Sequence, residues 1–186
     1  MKKSSNLLIK GLALFFAFSF IFLCSGCYAI NAKKYTNLTL KYANEYAIEP
    51  SLLMALIYAE SSFDASVVSS KGAVGLMQIL PSTAVYIATR ANYTGNIDLY
   101  NPECNLTLGC EYISYLKEKF INEKTLLCAY NAGEGAVLKW LNDKNCSQDG
   151  KTLVYVPYPE TRNYLIKIEK YKQKYQIYLQ KYYEKR

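Results

Sequence analysis

Residues 50–83 read PSLLMALIYAESSFDASVVSSKGAVGLMQILPST, and the meaning of Glu60 within that stretch decides how the chain is understood. Leu53, Leu56, Ile57 and Glu60 follow the three-and-four spacing of one helical face, which puts a carboxyl group on an apolar side. Desolvation disfavours the charged form of such a group and lifts its pKa above roughly 4.3, which suits it to give up a proton near neutral pH. The chain contains no His, so imidazole is not available for that task. Periodicity alone leaves a second reading open, in which Glu60 ends the helix and turns back to water.

Ser61, Ser62 and Phe63 close the expected helix. Beyond a polar bend come Ser69, Gly72, Gly75, Met77 and Gln78, then Pro81 and Thr83; glycines at this density let backbone pass close to a ligand or adopt positive φ. The run ESSF, a Ser nine residues after the Glu, and GAVGLMQILPSTA together resemble the signature of SLT-type lytic murein transglycosylases. Two later stretches, CAYNAGEGAVLKWL at 128–141 and PYPETRNYLIKI at 157–168, resemble the same family in the same order. The resemblance covers residues 38–180.

Composition agrees with one domain. A chain of 186 residues that is 51% hydrophobic, with only 9 Gly and 5 Pro, has material for a single core and a short appendage and is not a disordered polymer. Nineteen Tyr supply flat apolar faces with hydroxyl tips, useful against sugar rings, although most are expected as half-buried helix residues. Lys2, Lys3 and Lys10 precede an apolar run from Leu12 to Leu23, followed by small residues at Ser25 and Gly26, which is the pattern of an export signal. That run is short for a span of about 20 residues. Leu23-Cys24-Ser25-Gly26-Cys27 resembles a bacterial lipobox, with Cys24 at the position three before Cys27 where Leu is usual. A lipoprotein, a cleaved soluble form and an uncleaved anchor all place the domain outside the cytoplasm, at the cell envelope.

The net charge of +7 is concentrated late, with eight Lys or Arg against Glu169 and Glu184 between Arg162 and Arg186. That face either attracts an anionic wall or lipid surface or is the solvated side of an amphipathic helix. Nucleic acid is a poor partner for a Tyr-rich helical tail on an exported chain. Cys104, Cys110, Cys128 and Cys146 have no CxxC spacing, and without His they make no zinc site. Export permits a Cys104–Cys110 disulfide across a turn; simple burial of the thiols is the other reading.

No alternating strand of useful length is found. A helix is expected after a polar lead-in within 31–48, then the Glu60 helix begun by Glu49 and Pro50, a helix from Ser82 to about Arg90, a loop over 91–104, a helix from Asn105 to about Phe120, and a last helix after the extended Val154–Pro159 link. The fold class is all-α. The resemblance makes it a lysozyme-like helical domain with a glycan-binding groove. The expected layout is a signal peptide over 1–27, of lipoprotein type with lipidation at Cys27 or else a membrane anchor; a linker over 28–37; the catalytic domain over 38–180; and a basic tail over 181–186.

Glycoside cleavage usually takes two carboxyl groups, and only Glu60 stands out. Asp64, four residues on, reads better as a turn residue. The family resemblance explains a lone acid: one Glu protonates the glycosidic oxygen between N-acetylmuramic acid and N-acetylglucosamine, then takes the proton of the muramyl 6-hydroxyl as it closes to a 1,6-anhydro end. It also implies substrate contacts at Ser69, Gly75, Met77, Gln78, Tyr130 and Asn131, with the Tyr130 hydroxyl orienting the acid, and a buried structural pair, Glu160 and Arg162, tying the last helix to the catalytic one. Gly133 and Gly135 would let backbone approach the glycan. No cofactor and no metal are implied; the partners are peptidoglycan glycan strands and a membrane reached through the N-terminal lipid or anchor, and the chain is expected to be a monomer. Two departures stand out, Glu134 and Ala65, where the family often has Pro. A goose-type lysozyme and a non-catalytic glycan-binding lipoprotein are the competing readings.

Overall fold

The computed structural model describes residues 32–185; the expected signal peptide and Cys27 lie outside them. Seven helices are present among these residues: α1 (residues 32–45), α2 (Pro50–Ser61), α3 (Pro81–Arg90), α4 (Pro102–Lys119), α5 (Glu123–Ala132), α6 (Glu134–Asn142) and α7 (Pro159–Tyr183). No strand forms among the described residues; two isolated bridges, Val68 with Val74 and Val74 with Ile79, pin the loop between α2 and α3.

α2 is the centre. Pro50 occupies its first turn and the Glu49 carboxylate accepts hydrogen bonds from the backbone of Ser51 and Leu52 at 3.1 and 2.9 Å, so the orphan amides of the first turn are capped and faced by a negative charge. Leu53, Met54, Ala55, Leu56 and Ile57 are all 0% exposed. A helix segment apolar on every side is surrounded, and the stripe read from Leu53, Leu56 and Ile57 is part of a segment enclosed all round, beyond which Tyr58, Ala59 and Glu60 are half-buried. The helix ends where Ser62 and Phe63 both take positive φ, 54° and 63°. Left-handed backbone costs about 1 to 2 kcal/mol per non-Gly residue, and the turn it makes drives Phe63 into the core against the Tyr175 ring, 5.9 Å between centroids.

Two boundaries differ from expectation. α4 starts at Pro102, not Asn105: the Asn101 side chain caps it by accepting from Glu103 and Cys104 backbone amides, and Pro is tolerated in a first turn. The expected linker is helical from residue 32, because Ala32, Tyr35, Thr36, Thr39, Tyr42 and Ala43 bury one face of α1.

α7 lies along α2 and carries the tyrosine load. Tyr171 and Tyr58 pair ring to ring at 3.9 Å with hydroxyls 3.1 Å apart, Tyr175 is 1% exposed, the Tyr178 hydroxyl is 2.9 Å from Thr36 Oγ1, and Tyr182 donates to Asn37. Lys172 reaches Glu123 at 2.9 Å and Glu49 at 4.0 Å, joining the starts of α5 and α2. The helix thus runs into the expected 181–186 tail.

Cys104, Cys110, Cys128 and Cys146 are free and buried. The disulfide considered for Cys104 and Cys110 does not form: both lie on α4, six residues and therefore about 9 Å apart along its axis, beyond the reach of a disulfide.

Candidate active site

Glu60 sits one residue before the end of α2, half-buried at the rim of the core. Its Oε1 accepts a hydrogen bond from the Tyr164 hydroxyl at 2.7 Å. Next to it, Lys167 donates to the Ala59 carbonyl at 2.7 Å, satisfying one of the orphan acceptors of the α2 C-terminus with a cation. Burial pushes the Glu60 carboxyl up to about 7, against the lowering effect of Tyr164 and Lys167; Glu160 adds a smaller push upward. A carboxyl poised near 7 is available both as acid and as base.

The carboxyl opens on a cleft of about 250 Å³ bounded by Ser69, Lys71, Gln78, Tyr130, Asn131 and Glu160. Ser69, Gln78, Tyr130 and Asn131 are therefore brought to one wall with Glu60. Each is fixed by the fold. Ser69 Oγ accepts from the Ala73 amide at 3.0 Å, Gln78 Nε2 donates to the carbonyls of Val67 and Gly75 at 3.0 Å each, and Asn131 Oδ1 accepts from Thr161 Oγ1 at 2.8 Å.

Gly75 and Met77 are not on that wall. Gly75 has φ +80°, and a Cβ there would stand 2.3 Å from both Asn105 Nδ2 and the Leu99 carbonyl; its role is to let the loop close onto α4. Met77 is 0% exposed and packs where Gly109 of α4 leaves room, beneath the site.

The phenol that meets the acid is also different from the one expected. The Tyr130 hydroxyl donates to the Met77 carbonyl at 2.8 Å, so it braces the loop, while Tyr164 takes the carboxyl. Burial, then the Glu60 charge, raises both phenols well above the usual range, so they stay protonated donors. Tyr164 lies inside the 157–168 stretch; its position seven before Tyr171, on the face that α7 turns to α2, is the signal.

Glu160 and Arg162 do not form the expected buried pair. The Glu160 side chain is 75% exposed, 4.0 Å from Lys71 across the cleft mouth, and Arg162 donates to the carbonyls of Val156 and Pro157 at 2.7 and 2.8 Å. Both stand in the first turn of α7, which Pro159 begins, and Arg162 folds back over the preceding link. What ties α7 to α2 is Tyr164, Lys167 and Tyr171.

Asn105 is the second residue whose part was missed. It is buried, accepts from the Met77 amide at 2.8 Å and donates to the carbonyls of Val74 and Leu99 at 2.9 Å each. One side chain thereby clamps the loop that carries Ser69 and Gln78. Asp64 caps its own turn through the amide and hydroxyl of Ser66 at 2.8 and 2.6 Å, and these bonds hold its carboxyl below the usual range, as fits a turn residue. Gly133, at φ +86°, turns α5 directly into α6, and Gly135 is exposed. Glu134 accepts from the Tyr115 hydroxyl at 2.6 Å and pairs with Lys119; burial alone would raise it, but those two partners outweigh burial and keep it low. It lies in a second hollow with Tyr112, whose ring is 5.3 Å from that of Tyr130. Among the described residues no group of three or more His, Cys, Asp or Glu side chains is placed to hold a metal ion.

A helix enclosed by others, ending in a half-buried acid at the wall of a cleft, places the domain in the lysozyme-like helical class. The family model for the transglycosylase SLT domain matches residues 37–153, and the chain belongs to that family. The membrane-bound lytic murein transglycosylase C of Actinobacillus pleuropneumoniae is 34% identical over 175 residues, an alignment covering 81% of this chain and 48% of the relative. The crystal structure of the 70 kDa soluble lytic transglycosylase Slt70 of Escherichia coli superposes with a TM-score of 0.68 at 30% identity, over 78% of this chain and 24% of that one. An inactive Glu-to-Gln mutant of lytic transglycosylase Slt from Pseudomonas aeruginosa gives 0.65 at 27% identity, over 76% and 24%. The chain thus spans about half the length of the curated relative and a quarter of the solved chains.

Proposed function

We propose that this domain is a peptidoglycan lytic transglycosylase that cuts the β-1,4 bond between N-acetylmuramic acid and N-acetylglucosamine. The observation that carries the reading is the Glu60 carboxyl at the cleft wall, lifted to about 7 and held on one oxygen by Tyr164. The protonated carboxyl gives its proton to the glycosidic oxygen as the bond from that oxygen to the muramyl anomeric carbon breaks. The carboxylate left behind keeps the Tyr164 hydrogen bond and feels the Lys167 charge. It then takes the proton of the muramyl 6-hydroxyl as that oxygen bonds to the anomeric carbon, giving a 1,6-anhydro end and restoring the acid. Ser69, Gln78, Tyr130 and Asn131 line the wall along which the sugars lie. The names of the relatives, and the inactivity of the Pseudomonas protein with one Glu changed to Gln, support the reading.

The other carboxylate at the cleft, Glu160, is exposed and faces Lys71, a poor station for a nucleophile. The protein works outside the cytoplasm as a monomer, held at the membrane by its N-terminal segment and lipidated at Cys27. Mass spectrometry of muropeptides released from purified peptidoglycan tests the chemistry. Products about 18 Da below the reducing-end forms, absent with Glu60→Gln, are expected. Reducing ends would make the protein a hydrolase of the goose-type lysozyme kind and turn attention to Glu160; binding without release would make it a non-catalytic glycan-binding protein.

A further inference from the structure

The outer face of α7 carries an order that the cleft does not use. Lys170, Lys174, Ile177 and Lys181 recur at spacings of four, three and four, which puts them on one strip of helix surface about 16 Å long, and Lys185 follows four residues on, in the turn just past Tyr183. All four lysines are exposed, Ile177 is 57% exposed, and Ile166 at the upstream end of the strip is 67% exposed. Glu184, at the strip's edge, is its acidic member and is engaged by Gln180. Lys170 and Lys174 flank the Tyr171 ring, 6.0 and 5.0 Å from its centroid, while the lysines of the same helix that turn inward sit on oxygen acceptors, Lys167 on the Ala59 carbonyl and Lys172 between Glu123 and Glu49. Lysines interspersed with two exposed isoleucines along one strip form a surface for the headgroup level of an anionic bilayer.

The position of the strip points to the same partner. The C-terminal half of α7 is pinned to the first turns of α1 by the Tyr178–Thr36 and Tyr182–Asn37 contacts. α1 is already helical at residue 32, five residues after Cys27, and five residues reach at most about 18 Å. A chain tethered at its N-terminal segment therefore holds this end of α7 within reach of the membrane. The strip also lies beyond residue 153, where the family match ends.

We propose that the strip formed by Lys170, Lys174, Ile177 and Lys181 of α7, with Lys185 in the turn after it, is a second membrane contact, which docks the tethered domain on anionic phospholipid. The proposal rests on the tether reading and is independent of the cleavage chemistry. Tyr164, and the acid it holds, lie about 120° around the helix from Lys170, so the docked strip is not the face that holds the acid.

Lysine footprinting of the full-length chain in vesicles tests this, with single-hit acetylation by an N-hydroxysuccinimide ester read by mass spectrometry. In vesicles containing 30% phosphatidylglycerol, the four strip lysines should be acetylated about fivefold more slowly than in pure phosphatidylcholine, with Lys139 and Lys144 unchanged. The protection should fade at 0.5 M salt and fall by at least half in Ile177→Glu, an exposed change that leaves the core intact. Equal acetylation in both lipids overturns the proposal. Equal protection by soluble poly(glycerol phosphate) without vesicles also overturns it, because the strip would then read a wall polymer. Unchanged muropeptide release by Ile177→Glu on soluble substrate separates this outcome from any failure of the catalytic reading.

Discussion

Tyr164 on α7 and Glu60 on α2, 104 positions apart in the chain, share a 2.7 Å hydrogen bond in which the phenol donates to the carboxyl. The bond favours the ionised form of a group that burial favours as the neutral acid. Tyr164→Phe therefore raises the Glu60 pKa further. The alkaline limb of kcat/KM should move up by about 1 pH unit while the maximum falls about 10- to 100-fold, since a hydrogen bond to a charged group contributes about 1.5 to 3 kcal/mol. A pH–rate profile on soluble glycan strands measures both, and a lower rate without the shift would mean that Tyr164 acts only by packing.

Glu60 itself links stability to pH. Its folded pKa of about 7 lies above the ordinary 4.5, so between those values the folded state retains a proton that the unfolded chain has released. The sign follows: stability is full below 4.5 and is lost as pH rises through 7. Glu60→Gln removes that loss, and urea denaturation at pH 8 should find the variant more stable than the parent by about 1 to 3 kcal/mol, a gap that closes near pH 4. Its muropeptide release should fall at least about 100-fold.

The clamp at Asn105 gives a third test. Asn105→Asp keeps the shape and the bond from the Met77 amide but turns two donated bonds, to the Val74 and Leu99 carbonyls, into contacts between acceptors. Stability should fall by about 3 kcal/mol or more, and the loss should be smaller at pH 4, where the new carboxyl can protonate.

Two glycines of one loop separate backbone strain from lack of space. Gly72 and Gly75 have φ of +79° and +80°, but a Cβ at Gly72 meets nothing within 4 Å while one at Gly75 meets Asn105 and Leu99 at 2.3 Å. Gly72→Ala should cost about 1 to 2 kcal/mol, and Gly75→Ala at least 2 kcal/mol more, by the same denaturation assay. Equal costs would mean that the loop opens to accommodate the methyl group.

Much of this architecture was legible in the chain. Glu49 and Pro50 announced α2, the Leu53, Leu56, Ile57 and Glu60 spacing placed the acid, and five of the seven helices were read in order, α5 and α6 being the two that were not. What was lost needed three dimensions. Tyr130 and Tyr164 are chemically alike, and only the docking of α7 decides which phenol reaches the carboxyl and which braces the loop. Asn105 looks like a helix start because Asn caps helices so often; inside α4 it serves the loop, through carbonyls 6 and 31 positions away. Glu160 and Arg162 stand two apart, and residues two apart on a helix do not share a face, which was the available reason to doubt their pairing.

The separation of acid and phenol also sets a timetable. A chain made from its N-terminus presents Glu60 long before α7 follows, and until α7 docks the Tyr164 phenol is not at the carboxyl. Docking requires contacts that run from Tyr164 to Tyr182, nearly the length of the helix. The hydrogen-bonded acid therefore arrives last, as a property of the finished molecule, and a chain that stops short of α7 carries Glu60 without its phenol.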